Sequence, residues 1–178
     1  MSASRRMALL LATSLLAACA GLPAPPQDFA LRLTPAALGH ELALQQRMTM
    51  SAQGRSQQLD VAIEVDAQAV RLAVLDFGQT VARLEWDGHA LRESRVAGWP
   101  AAVSGARVLS DLQLVHWPAD AIRAALPAGW SLQDAPGART LRHQRVAAAQ
   151  VRYPAPGSAE LDHVAGGYRL RLEPWGER

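Results

Sequence analysis

Five histidines, one cysteine and a few neighbouring Asp–His pairs are the residues of this chain with chemistry to offer. The histidines (His40, His89, His116, His143 and His163) lack metal-ligand spacing, with no HExxH motif and no Cys/His cluster. Asp111 with His116, or Asp162 with His163, would supply an acid–base pair, and Ser104, Ser110 or Ser131 the nucleophile. None of these serines sits in a G-x-S-x-G elbow. Glu64 and Asp66 read as the polar face of a strand, and no glycine-rich phosphate loop is present. The expectation is a protein that is not an enzyme and uses no cofactor or metal. Cys19, as the single cysteine, has no partner for an internal disulfide, so its thiol invites another use.

The residues before Cys19 suggest that use. Arg5 and Arg6 precede an uncharged apolar run, Met7 to Ala17, shorter than the roughly 20 residues that a membrane span needs. The run ends in Leu16-Ala17-Ala18-Cys19, which resembles the lipobox of bacterial lipoproteins. On that resemblance, residues 1–18 are a signal peptide and Cys19 is the acylation site, carrying palmitate or a similar chain. An ordinary secretory signal with an incidental cysteine is the alternative. The Pro-rich stretch Gly21 to Pro26 favours a tether after an anchor. Ala20, where inner-membrane lipoproteins of enterobacteria-like systems carry Asp, implies attachment to the outer membrane, facing the periplasm.

Without residues 1–18 the chain has 160 residues, one domain's worth, and loses Arg5 and Arg6. That leaves 16 basic against 16 acidic residues, so the basic character of the whole sequence does not argue for a nucleic-acid partner. The expected organisation is residues 1–18 as signal, 19–39 as lipidated cysteine and tether, and 40–178 as a single β-rich domain. Glu41 to Met50 alternates, with Leu42, Leu44, Met48 and Met50 on one parity. Gln58 to Asp66 is the clearest strand: Leu59, Val61, Ile63 and Val65 oppose Asp60, Glu64 and Asp66. Val70 to Phe77 and Thr80 to Trp86 continue the pattern about a turn at Gly78. Asp87-Gly88 reads as a two-residue hairpin into His89 to Val96. The turns near Ala67 to Ala69 and at Gly78-Gln79 carry no apolar tip in this reading.

Gly105 to Val115 then shows helical spacing through Val108, Leu112 and Val115, broken at Trp117-Pro118. A short helix follows over Ala119 to Leu126. Trp130 to Gln133, Arg139 to Val146, Gln150 to Tyr153, Glu160 to His163 and Gly167 to Glu173 read as short strands between Pro/Gly turns. About five strands, a helical insert and four or five more strands imply a mainly β fold. The antiparallel sheet curls, because one helical segment cannot cover a flat one.

The stretch Asp111 to Pro118, Leu126, Trp130 and Gly167 to Leu170 resemble a family of bacterial lipoproteins often encoded near aryl-polyene or other fatty-acid-synthase-like biosynthetic genes. That family is related in fold to the lipoprotein carriers LolA and LolB. The resemblance implies an unclosed antiparallel β-barrel with a helical plug and a hydrophobic cavity for acyl chains. Ile63, Leu72, Val74, Leu84, Trp86, Trp117 and Trp130 would line it, or else form an ordinary core. The basic run Arg139, Arg142, His143 and Arg145 would face anionic headgroups or a partner, or else solvent. The expected function is that of a periplasm-facing, outer-membrane-anchored monomer that binds or transfers a hydrophobic molecule without catalysis. A protein partner in lipid or polyene export fits the same reading. Its rivals are a scaffold lipoprotein with a solid core and a periplasmic hydrolase.

Overall fold

Strict alternation of apolar and polar residues forces strands with one dry face, and that face must be covered. The computed structural model of the protein describes residues 29–97 and 103–176; Cys19 and the segments on either side of it lie outside them. Five strands come first: β1 (Leu42–Ala52), β2 (Arg55–Val65), β3 (Val70–Asp76), β4 (Gln79–Trp86) and β5 (Leu91–Arg95). Two helices follow, α1 (Gly105–His116) and α2 (Ala119–Ala125). Then come β6 (Trp130–Ala135), β7 (Ala138–His143), β8 (Val146–Arg152), β9 (Ala159–His163) and β10 (Tyr168–Pro174).

All ten strands belong to one antiparallel sheet, ordered β5-β4-β3-β2-β1-β10-β9-β8-β7-β6. Two five-stranded meanders are thus zipped together by β1 and β10, with Gln46 opposite Pro174 and Ala52 opposite Tyr168. The edges β5 and β6 are not paired, so the barrel stays unclosed. The chain crosses from one edge to the other through α1 and α2. Helix α1 packs on β5 and β9, and α2 on β6. The mainly β antiparallel sheet is the one that the alternation predicts, and its staying unclosed is what the resemblance implies.

The dry faces match their sequence pattern. Leu59, Val61, Ile63 and Val65 of β2 are all buried, as are Val70, Leu72 and Val74 of β3 and Leu84 and Trp86 of β4. They form one core cluster with Leu109, Leu112, Leu114 and Val115 of α1. On β1 the inward row contains a polar residue, Gln46. Its Nε2 donates to the Gly157 carbonyl at 2.8 Å, while its buried Oε1 has no hydrogen-bond partner.

Several local expectations are corrected. The lead-in that reads as a linker is part of the core from Leu31 onward: Leu31, Leu33 and Leu38 are buried. Asp87-Gly88 does not make a two-residue hairpin. Trp86 pairs with Leu91, and the Asp87 carboxylate accepts from the backbone N–H groups of His89 and Ala90, closing a longer loop. Arg139 to Val146 is not one strand, because Gln144 takes a left-handed φ of 53° and turns the chain between β7 and β8. The β3–β4 turn does carry an apolar tip: Phe77, at φ 47° beside Gly78 at 78°, is fully exposed.

Helix α1 also differs from an amphipathic cover. Every residue from Leu109 to Val115 is buried, so the helix is enclosed rather than laid on a surface. Its polar residues are answered by an extended segment, Phe29 to Thr34, running alongside. Ser110 Oγ accepts from Leu31 N–H at 3.0 Å. Gln113 takes both backbone groups of Leu33, accepting from N–H at 2.9 Å and donating to C=O at 2.8 Å. Gln113→Leu keeps the volume but strands these buried groups, and such loss costs about 1–3 kcal/mol per unsatisfied group. We expect a urea-unfolding midpoint lowered accordingly. An unchanged midpoint would show that the segment is held by its leucines alone.

Candidate functional site

The residues expected to line a cavity fall on the concave face of the sheet. Ile63, Leu72, Val74 and Leu84 point inward from β2, β3 and β4, each 7% exposed or less. Trp86 and Trp117 meet at the same stretch of backbone. Trp86 Nε1 donates to the Leu33 carbonyl at 2.8 Å, and Trp117 Nε1 to that of Thr34 at 3.2 Å. Trp130 is elsewhere, half-buried at the start of β6, its ring 4.9 Å from that of Phe29 and 5.0 Å from that of His143. The structure therefore brings six of the seven into the core cluster and places the seventh at its margin.

The space among them is filled. A pocket beside Leu72, Val74, Leu84 and Val108 measures about 20 Å³, room for about one water. Helix α1 occupies the volume where an acyl chain would lie. A larger groove of about 440 Å³ opens along β3 to β5, but Arg71, Arg83, Arg92, Glu64, Glu85 and Glu93 line it. Its charges balance, and such walls do not suit a hydrocarbon tail.

Both ends of α1 are fixed by designated partners. At the start, Ser104 Oγ accepts from Arg107 N–H, and the Glu93 carboxylate accepts from Gly105 N–H at 2.8 Å, the favourable sign for a helix N-terminus. A Cβ at Gly105 would stand 2.1 Å from Glu93 Oε2, so any larger residue there would have to move this carboxylate off the helix N-terminus. At the other end, Arg139 Nη1 donates to the carbonyls of Leu114 at 3.2 Å and Trp117 at 2.7 Å, and Tyr153 Oη to that of Val115 at 2.7 Å. Arg139, expected in a surface-facing basic run, instead caps α1 while pairing with Asp134 at 2.9 Å. Arg142 donates to the Arg145 carbonyl in the β7–β8 turn.

The acid–base pairs are rearranged as well. Asp111 does not meet His116. It accepts a hydrogen bond from Tyr168 Oη on β10 and lies 4.0 Å from His163 Nε2 on β9. His163 does not pair with Asp162, because neighbours on a strand face opposite ways; Asp162 binds Arg169 outside. His163 Nδ1 accepts from Gly166 N–H, and its Nε2 is 2.7 Å from Arg107 Nη1. Ser110 is engaged with Leu31, Ser104 caps the helix, and Ser131 lies exposed on β6. None of these three serines is hydrogen-bonded to Asp111 or His163. Among the described residues no group of three or more His, Cys, Asp or Glu is placed to hold a metal. The sequence reading missed Arg107 and also Tyr168. Its signal was the alternation of β10, which puts Tyr168 on the same face as Leu170 and Leu172.

Burial dominates the charges of this cluster. It pushes the Asp111 carboxyl up from 3.8 to about 7, against the pull of Tyr168 and Arg107. It pulls His163 down from 6.5 to about 4, helped by the Arg107 charge. His116, its Nε2 buried without a partner, is drawn down to about 4 by burial and Arg139. The signs oppose. The unfolded chain releases the Asp111 proton near pH 3.8 and the folded protein holds it to about 7, so this group costs stability as pH rises through that window. The two histidines favour the folded state above their unfolded value of 6.5 and lose that contribution as pH falls towards about 4. Asp111→Asn removes the first effect and leaves the second. Melting experiments across pH 4 to 7 should show the variant gaining on the parent as pH rises; a constant difference would mean that Asp111 is ionised throughout.

No curated protein was found to match the chain. Residues 43–176, from β1 to just past β10, match the family described as Protein of unknown function (DUF3261). That span takes in all but the first residue of the sheet and both helices, together with Asp111, Arg139, His163 and Tyr168, and the chain belongs to this family.

Proposed function

We propose that this protein is a lipoprotein, acylated at Cys19 and anchored to the periplasmic face of the outer membrane, that binds or hands over a hydrophobic molecule without catalysing a reaction. The observation behind this reading is a curled apolar sheet whose concave face is filled by a single twelve-residue helix. The helix is tied by Ser110, Asp111 and Gln113 to the segment Leu31–Leu33 and to Tyr168. Withdrawal of α1 from the sheet would expose Ile63, Leu72, Val74 and Leu84 as one apolar trough. An acyl chain gains about 0.8 kcal/mol for each methylene buried there. Directionality would come from affinity differences between donor and acceptor. The relation in fold to LolA and LolB, and service to a lipid or polyene export route, belong to the same proposal. Among the described residues no helix is long and apolar enough to cross a membrane.

A second reading has an observation of its own. The pocket of about 20 Å³ beside Leu72 and Leu84 is what a solid core would show. A scaffold lipoprotein with that core would bind a protein partner on its surface and carry no lipid. The two readings part on one preparation. Protein purified from bacterial envelopes should show an acylated Cys19 by mass spectrometry. Under the carrier reading it also releases a second, non-covalent lipid on extraction and takes up a fluorescent fatty acid. An acylated chain that yields no extractable lipid and no uptake would leave the scaffold.

A further inference from the structure

The antiparallel register sorts every turn of the sheet to one of two rims. One rim gathers the β1–β2 turn at Gln53-Gly54, the β3–β4 turn at Phe77-Gly78, the β7–β8 turn at Gln144 and the β9–β10 turn from Val164 to Gly167. Val96, just past β5, lies there too, bonded to Val81 near the start of β4. Three of the large apolar side chains most exposed among the described residues stand on this rim: Phe77 at 100%, Val96 at 48% and Val164 at 48%. Trp175, at 55%, is on the far rim after β10.

Phe77 is the most telling of them. It takes a left-handed φ of 47°, a conformation unfavourable for an aromatic residue. The same rim has left-handed residues at Gln53 and Gln144, and both are polar. At Phe77 the turn geometry and water both disfavour the side chain that is present.

Charge follows the same division. The far rim carries Asp66, Asp87 and, near the end of β6, Asp134, each closed on an arginine (Arg71, Arg92 and Arg139), together with Arg152, exposed at the end of β8 beside Glu160. The near rim carries Arg55 after Gly54, and Arg142 and Arg145 around Gln144, with Asp76 as the carboxylate beside Phe77. Glu93 and Asp162 at that end pair with Arg95 and Arg169.

The chain also enters at the near rim. Phe29 packs on Trp130, which faces His143 beside the β7–β8 turn, and its carbonyl accepts from Arg107 at 3.3 Å. It lies ten positions after Cys19 in the sequence, a reach of about 35 Å at most. The far rim lies a further six residues along β6 from Trp130, about 20 Å, so the near rim is the closer of the two to the anchor.

We propose that the near rim is a membrane-docking surface, seated end-on against a bilayer containing anionic lipid, with Phe77 and Val164 entering the interface and Arg55, Arg142 and Arg145 over the headgroups. This rests on the anchoring proposed above for the side on which the bilayer lies. End-on seating holds the strands across the membrane plane and opens the sheet's near end, where α1 begins, towards the lipid.

The test uses the acylated protein in vesicles of equal parts phosphatidylcholine and phosphatidylglycerol. Phe77→Cys, Val164→Cys and, on the far rim, Ala67→Cys each carry a polarity-sensitive fluorophore. Lipids bearing a quencher should quench the labels at 77 and 164 several-fold more than the label at 67. Equal quenching at all three, or stronger quenching at 67, overturns the proposal. Phe77→Asn places a turn-compatible residue at 77, so it should melt no lower than the parent. It should nonetheless reduce quenching at 164 several-fold, and unchanged quenching there would remove Phe77 from the contact. Failure of the anchor itself is read separately, as an unmodified Cys19 by mass, with the labels then read on protein mixed with the same vesicles.

Discussion

An extended backbone that is buried but outside any sheet has to find its hydrogen bonds elsewhere, and in this protein it finds them on a helix. Phe29 to Thr34 runs beside α1, and its N–H and C=O groups are taken by Arg107, Ser110, Gln113 and the indole of Trp117. These four residues fall three or four apart and so form one stripe of the helix. Trp86 closes the pattern from β4, giving the Leu33 carbonyl a second donor. Because that stripe is polar and its partner is backbone, α1 can be buried on every side without leaving its amides and hydroxyls unmet. The burial of the leucines on its other faces depends on this.

The same logic explains why the middle of the sheet tolerates ionisable groups. Asp111, Tyr168, His163 and Arg107 lie where α1 meets β9 and β10, away from the contacts with β2 to β4 that are wholly apolar. One flank of the helix is therefore selected by geometry and the other by area. Under the proposed carrier function, a hydrocarbon ligand would compete for the second and not for the first. Any opening of the domain that admits lipid is then expected to hinge on the polar flank.

How much of this can be read from the sequence depends on the range of the interaction. The period of two in Leu59, Val61, Ile63 and Val65 is local, and the strands it implies are present. The break at Trp117-Pro118 is local too, and the two helices separate there. Gln113 is different. Its partner is Leu33, eighty positions away, and nothing near either residue announces the pairing. Arg139 reads as one of several basic side chains because the carbonyls that it caps belong to a helix more than twenty residues earlier. Gln46 sits in an apolar row, where the pattern calls for a hydrocarbon side chain, and its reason is the Gly157 carbonyl on a distant loop. The lining residues were legible as a buried face, since burial follows from alternation. Whether that face holds a ligand or a helix is a matter of volume, which alternation does not encode.

The β1–β10 seam has a consequence for how the molecule comes into being. Each meander is made of neighbours in sequence and can assemble as it emerges, but the seam joins residues 46–52 to residues 168–174. A chain made from its N-terminus therefore leaves the outer edge of β1 unpaired until β10, the last strand, is available. Pairings of such long separation are slow to form. During that interval the strand offers an unpaired edge and a half-apolar face to whatever attends it.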